Sequence, residues 1–225
     1  MLNRSTVVFA FAALLCAALP GLSRDQGGFE IHPITIEAHH GLASVVVSNP
    51  NDQKIYLATA IYDWAKDADG MDVLHESGEA LASPPAMWIP PHATYTLRVQ
   101  VPEATGAAER PFRVMVKRVP GRDEIVTGRI VFAVTQNLPA FSEPDTPIAP
   151  ALSARIADRS TIVFSNTGTR RARIQAIMQD GRTLAAGLVA YVLAQSSLPV
   201  HLPAAVHPGT VEVDTDQGRH VVHLP

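Results

Sequence analysis

The feature that most constrains this chain is a hydrophobic period of two that keeps stopping and restarting. Apolar and β-branched runs of five to eleven residues alternate with clusters of Gly, Pro, Asn and Asp along nearly the whole length. In the first half these runs are ASVVVSN (43–49), KIYLATAIYDW (54–64), TYTLRVQV (94–101), FRVMVKRV (112–119) and GRIVFAVTQ (128–136). In the second half they are STIVFSN (160–166), RARIQAIM (171–178), LVAYVLA (188–194), TVEVDT (210–215) and RHVVHL (219–224). Turn residues separate them, among them Asn49-Pro50-Asn51, Asp69-Gly70, Asn166-Thr167-Gly168, Asp180-Gly181 and Gln217-Gly218. No helical period occurs after the first two dozen residues. Short strands of this kind bury one face each, so the expectation is an all-β chain built from sandwiches.

Pro144, Pro147 and Pro150 fall within seven residues. Such a segment cannot be a central strand and makes a stiff, extended connection. It divides the chain into a first domain over 24–143 and a second over 151–225, with 144–150 as the linker. Domains of about 120 and about 75 residues both suit an immunoglobulin-like sandwich. The halves also echo each other. VVVSNPNDQKIYLATAIYDW and IVFSNTGTRRARIQAIMQD share the layout strand, Ser-Asn, turn, strand.

The start, MLNRSTVVFAFAALLCAALPGLS, reads as a secretory signal over 1–23. Arg4 supplies the charge, Thr6 to Leu19 the apolar run, and Gly21 and Ser23 the small residues before cleavage at Arg24. That run is short for a membrane span. Cys16 suggests a lipid anchor, but Leu15 is too bulky for the residue before a lipidated cysteine. Cleavage removes the only cysteine, so the exported chain holds together by core burial alone. A net charge of −3 with scattered Lys and Arg argues against nucleic acid, and no later run would insert into a membrane.

One stretch bears on function. Arg110 to Pro144 reads as two strands joined by a polar loop, the second passing through Leu138-Pro139 into the linker. On that second strand Ile130, Phe132 and Val134 share one face. Beside a domain boundary those side chains need a partner, either this protein's own core or another chain. The remaining residues point to no chemistry. His39-His40, His220 and His223, and His201 and His207 are not spaced as a metal site, and no cysteine remains to complete one. Neither a nucleophile elbow nor a phosphate loop occurs, so no enzyme activity and no cofactor is expected. Asp63, Asp67, Asp69 and Asp72 around Gly70 lack a calcium-loop register and read as a solvated hairpin. Trp64 and Trp88 read as sandwich core, and Tyr56, Tyr62 and Tyr191 as packing residues, with a bonded hydroxyl where buried.

The order EIHPITIEA, VVVSNPNDQKIYLATAIYDWAKDADG, SPPAMWIPPHATYTLRV, RPFRVMVKRVP, IVFAVTQNLPAFSEP resembles the periplasmic pilus chaperones of the PapD-like family. LPAFSEP, FSNTGTRRARI and YVLAQSSLPVHLP are similar to the archaic, spore-coat-U-type branch. The resemblance implies a periplasmic assembly chaperone that lends one strand to incomplete pilus subunits and delivers them to an outer-membrane usher. The lent strand would be 128–136, with Ile130, Phe132 and Val134 inserted. A free chaperone of this kind would self-associate, as a self-capping homodimer. The family's usual carboxylate anchor, an Arg on the first strand and a Lys ending the lent strand, falls on Thr35 and Pro139, which carry no charge. Arg98 and Arg113 are the replacement pair to test, since forked donors suit a buried carboxylate. Without that role Arg98 would pair with Asp214 or Asp216, and Arg113 would be a solvated strand residue. The alternative function is a two-domain adaptor or adhesion accessory protein that binds a partner without lending a strand.

Overall fold

The computed structural model describes residues 28–121 and 133–225. The signal segment, Ile130 and Phe132 lie outside the described residues. All regular structure among the described residues is strand. The first domain carries β1 (Glu30–His32), β2 (Ile36–His39), β3 (Leu42–Ser48), β4 (Ile55–Lys66), β5 (Asp72–Glu76), β6 (Leu81–Ser83), β7 (Ala86–Ile89), β8 (Thr94–Gln100), β9 (Arg110–Arg118) and β10 (Thr135–Glu143). The second carries β11 (Leu152–Asp158), β12 (Thr161–Asn166), β13 (Ala172–Gln179), β14 (Arg182–Val192), β15 (Ser196–His201), β16 (Gly209–Thr215) and β17 (Gly218–Leu224).

In the first domain the ladder runs β5-β4-β9-β10-β2-β3-β8-β6, with β1 paired to β3 and β7 to β4. Strand β2 meets β3 only at His39↔Leu42, then leaves it to pair in parallel with β10 from Ala140↔Ile36 to Glu143↔His39. That departure lets one ladder fold into two facing layers. Val45, Leu57, Leu97, Phe112, Val114 and Val116 alternate inward and are fully buried between them. The second domain stacks β11-β12-β15 on β14-β13-β16-β17 around Phe164, Ile174, Ile177 and Val213. Each such side chain contributes roughly 1.5–3 kcal/mol of burial.

The repeated Ser-Asn has one physical reason in both domains. Asn49 Nδ2 donates to the carbonyls of Gln53, Ile89 and Pro90 at 2.8, 3.1 and 3.0 Å, and its Oδ1 accepts from the Asn51 N–H at 3.0 Å. Asn166 Nδ2 donates to Arg170, Val192 and Leu193 carbonyls at 2.7, 3.2 and 3.2 Å, and its Oδ1 accepts from the Gly168 and Ala151 N–H groups at 3.0 Å each. A short amide at the end of a strand thus satisfies turn carbonyls that the ladder leaves unpaired.

Three sequence expectations change. The strand expected to end before Leu138 runs on to Glu143. Pro139 is tolerated inside it because the pairing with β2 begins one residue later, so the missing N–H falls where β10 has a neighbour on one side only. Trp88 is not core: it is 49% exposed, with its ring 5.0 Å from Tyr56 and Lys54 Nζ 4.7 Å over it. The two residues share one outer face of the β4–β7 pair, since Tyr56 and Trp88 are directly opposite. Finally, the strands β1, β5, β6 and β7 are too short to show a period.

Candidate functional site in the cleft between the domains

Side chains from both domains converge where β10 ends. Trp64 of β4, Phe141 of β10, and Tyr191 and Leu193 of the second domain form a buried cluster separate from both cores. The three rings stand 5.8–6.0 Å apart. Trp64 is therefore buried, but against the other domain rather than within its own sandwich. Phe141 reaches the cluster because the strand continues past Pro139.

One side of the cluster is ionic. The β12–β13 turn delivers Arg170 and Arg171 to three glutamates of the first domain. Arg171 is 1% exposed; it pairs with Glu109 at 2.6 Å and Glu37 at 2.5 Å, and its Cζ lies 3.7 Å from the Phe141 ring. Arg170 pairs with Glu143 at 3.0 Å and Glu37 at 3.2 Å. Glu109 also accepts the Arg171 backbone N–H. Burial pushes the Glu109 carboxyl up despite the Arg171 and Arg170 charges that pull it down. The same turn holds the linker: Ala149 C=O accepts from Thr169 and Arg170 N–H groups at 2.9 and 3.2 Å. A Cβ on Gly168 would stand 2.3 Å from the Ala149 oxygen, so only glycine fits there.

The other side holds Arg113, Lys66 and Asp72. Arg113 Cζ lies 3.6 Å from the Trp64 ring, and its Nη2 donates to Asp72 Oδ2 at 3.2 Å. Lys66 Nζ is 2.6 Å from Asp72, and Trp64 Nε1 donates to the same carboxylate at 2.7 Å. Burial works to raise the Asp72 carboxyl, but the bonds from Lys66 and Trp64 and the Lys66 and Arg113 charges outweigh it and hold it low. Burial likewise pushes the Arg113 guanidinium down, against the pull of Asp72. The acidic hairpin expected to be solvated is thus partly a bridge. A Cβ on Gly70 at its tip would stand 2.6 Å from Leu198 Cδ1 and 2.9 Å from Pro199 Cδ of the second domain.

The expected site residues separate. Arg113 is a cleft residue, opposite Pro139 in the β9–β10 register. Thr35 is there too, its Oγ1 3.4 Å from the Tyr191 hydroxyl. Arg98 is elsewhere: β8 and β9 are separated by β10, β2 and β3 along the ladder. Asp214 pairs with Arg219 at 2.6 Å and the Asp216 carboxylate accepts from the Arg173 N–H at 3.3 Å, so neither serves Arg98. Val134 is half-buried against the first core. Sequence reasoning missed Arg173, opposite Tyr191 in the β13–β14 register with Cζ 6.0 Å from that ring. Its Nε is buried without a partner among the described residues, as is the Nε of Arg113. It also missed Arg170 and Arg171, whose one visible signal was the Arg doublet in TGTRRARI.

Two half-buried guanidiniums from different domains border one tyrosine, each with an Nε–H that no described residue satisfies. Such a place suits a carboxylate. Among the described residues no three metal-ligating side chains converge, and no helix is long and apolar enough to cross a membrane.

Residues 32–147 match the family described as pili and flagellar-assembly chaperone, PapD N-terminal domain. No curated protein sequence matches the chain significantly. Among solved structures, the fold is similar to a chain of the CsuC–CsuE chaperone–tip adhesion subunit pre-assembly complex from archaic chaperone-usher Csu pili of Acinetobacter baumannii, at 17% identity over 88% of this chain and 99% of that one, TM-score 0.71. It is also similar to a chain of the Salmonella enterica SafA pilin–SafB chaperone complex, at 19% identity, 87% and 95% coverage, TM-score 0.65. The E. coli chaperone DraB matches at 15% identity, 88% and 97% coverage, TM-score 0.66.

Proposed function

Because this chain belongs to the PapD-type family of pilus-assembly chaperones, we propose that it caps incomplete immunoglobulin-like pilus subunits in the periplasm and delivers them to an outer-membrane usher. Signal cleavage before Arg24 would place domains 24–143 and 151–225, joined by 144–150, in that compartment. Capping works by strand donation: residues 128–136 enter the subunit's groove, with Ile130, Phe132 and Val134 as the alternating inserted side chains, Val134 exchanging its packing on the first core for the groove. A lent strand left without a subunit would be an edge for a second copy to cover, giving a self-capping homodimer. The process needs no cofactor and no catalytic group.

The observation that carries this reading is Arg113. It stands beside the uncharged Pro139, in the cleft, with a buried N–H unspent. We assign to it the subunit's terminal carboxylate, the task Thr35 and Pro139 cannot perform. Arg98 was the other member of the expected pair, but it is distant from Arg113 along the ladder, and Arg173 takes its place in the proposal.

Co-expression with a short secreted subunit from the same genome tests it. The native chain should co-purify with the subunit, and a folded Phe132→Asp variant should lose it, because a charge is not tolerated in an apolar groove. Arg113→Met should weaken capture of the native subunit but not of one with an amidated C-terminus. A folded Phe132→Asp variant that still binds would replace strand donation with the adaptor reading.

A further inference from the structure

Arg98 has a different setting. On β3, β8 and β6 the residues Ser44, Arg98 and Ser83 are directly opposite one another, and so are Leu42, Gln100 and Leu81. All six point outward. They form one wall of a groove of about 860 Å³, whose other wall is β2 where it leaves β3. The first row is a guanidinium between two hydroxyls. The second is a pair of leucines, 60% and 61% exposed, on either side of an amide.

The groove lining carries one guanidinium, Arg98, and one carboxylate, Glu37. Arg98 has no ion pair among the described residues, whereas Arg110 and Arg113 of the same domain face Asp63 and Asp72. Glu37 borders the groove, but its carboxylate is committed to Arg170 and Arg171. His39 faces Glu143 at 3.6 Å. A cation with forked donors, hydroxyls on both flanks and no resident counterion is complementary to a carboxylate. The rows are two residues apart along each strand, about 6.6–6.8 Å. An extended peptide repeats at the same interval, so a carboxylate over Arg98 would set the next side chain on that face over the leucines.

We propose that this groove docks an extended segment of a partner protein, in which an acidic residue lies two positions from an aliphatic one. The site adjoins the ionic side of the cleft through Glu37 but uses neither Arg113 nor Arg173 and does not depend on strand donation.

The probe is the peptide Ac-Thr-Leu-Thr-Glu-Thr-Leu-Thr-NH2, amidated so that it offers no terminal carboxylate, titrated into the mature chain and followed by NMR and calorimetry. Saturable binding is expected, with shifts centred on Ser44, Leu81 and Ser83. Replacing its Glu by Gln, or Arg98→Gln in the protein, should each weaken binding roughly tenfold or more, and added salt should weaken the parent peptide. Leu81→Ser should weaken it further with an unchanged salt dependence. Arg98 is exposed and has no ion pair among the described residues, so its variant should keep the wild-type melting temperature. No saturable binding, equal binding by Arg98→Gln, or shifts in the cleft would overturn the proposal. Decanoate occupying the groove while the peptide does not would assign it to amphiphiles. Concentration-dependent shifts at the same residues without peptide would assign it to a second copy. Either result overturns the peptide assignment.

Discussion

Removing Arg171 should be the most damaging single change at the junction, and the damage should be reversible by a second change. Arg171 is buried with two carboxylates, Glu109 at 2.6 Å and Glu37 at 2.5 Å. Glu37 is partly exposed and keeps Arg170; Glu109 is 1% exposed and keeps only the more distant charge of Arg170. Arg171→Met would fill the volume but strand a buried charge, which costs about 3–5 kcal/mol. For a chain of this size that lowers the melting temperature by roughly 6–20 °C. Glu109→Gln in the same chain removes the stranded charge and keeps an amide oxygen for the Arg171 backbone N–H. The double variant should therefore be more stable than Arg171→Met alone. The pH dependence has a fixed sign. The Glu109 carboxyl is already raised by burial, and losing Arg171 removes the strongest pull opposing that rise. A raised folded-state value favours folding below the unfolded value, and that advantage is lost as pH rises through the folded one. The penalty in Arg171→Met should thus be largest at neutral pH and shrink as pH falls toward the ordinary carboxylate value of 4.5. Urea denaturation of the wild type, both single variants and the double variant gives the coupling energy. A cost below about 1 kcal/mol for Arg171→Met, or a double variant less stable than Arg171→Met, would refute the reasoning.

Three further outcomes are expected. Asn166→Ala strands three carbonyls and two N–H groups, one of them at Ala151 just past the linker, and should cost about 1–3 kcal/mol in denaturation, with Asn49→Ala similar in the first domain. The Asp72 carboxyl is held low, so its stabilisation is complete above the ordinary value of 3.8 and is lost as pH falls through the folded value. Asp72→Asn should therefore flatten the acid limb of the stability curve and leave Arg113 without its resident counterion. Gly168→Ala drives a Cβ into the backbone at the end of the linker, from Ala149 to Ala151, and hydrogen exchange of the Ala149 and Ala151 amides should quicken relative to the wild type.

Much of the fold was legible because a strand's period is local. FRVMVKRV, TYTLRVQV and TVEVDT each show which side chains point inward, and β9, β8 and β16 bury those residues. The repeated Ser-Asn was legible as an echo, and its reason is a set of turn carbonyls that a nearby amide can reach. Pairing partners far along the chain were not legible. Pro139 reads as a strand's end by its missing N–H; whether that N–H is needed depends on where β2 begins to pair.

By itself, then, the sequence determined an all-β chain, the alternation of faces along each strand, two sandwiches about a proline-rich connection, and a resemblance strong enough to suggest what the chain does. The tertiary structure decided which outward faces meet. Trp64 and Trp88 sit on similar strands, yet one is sealed against Tyr191 and the other faces water. Arg113 and Arg98 are both outward-facing strand arginines, yet one stacks in the cleft and the other lines a groove on another part of the sheet. Arg171 and Glu109 are 62 residues apart and meet only when the second domain turns its β12–β13 loop onto the first. A period of two fixes whether a side chain points in or out. What an outward side chain meets is set by how two folded domains dock, a contact between residues too distant in the chain for any local pattern to encode.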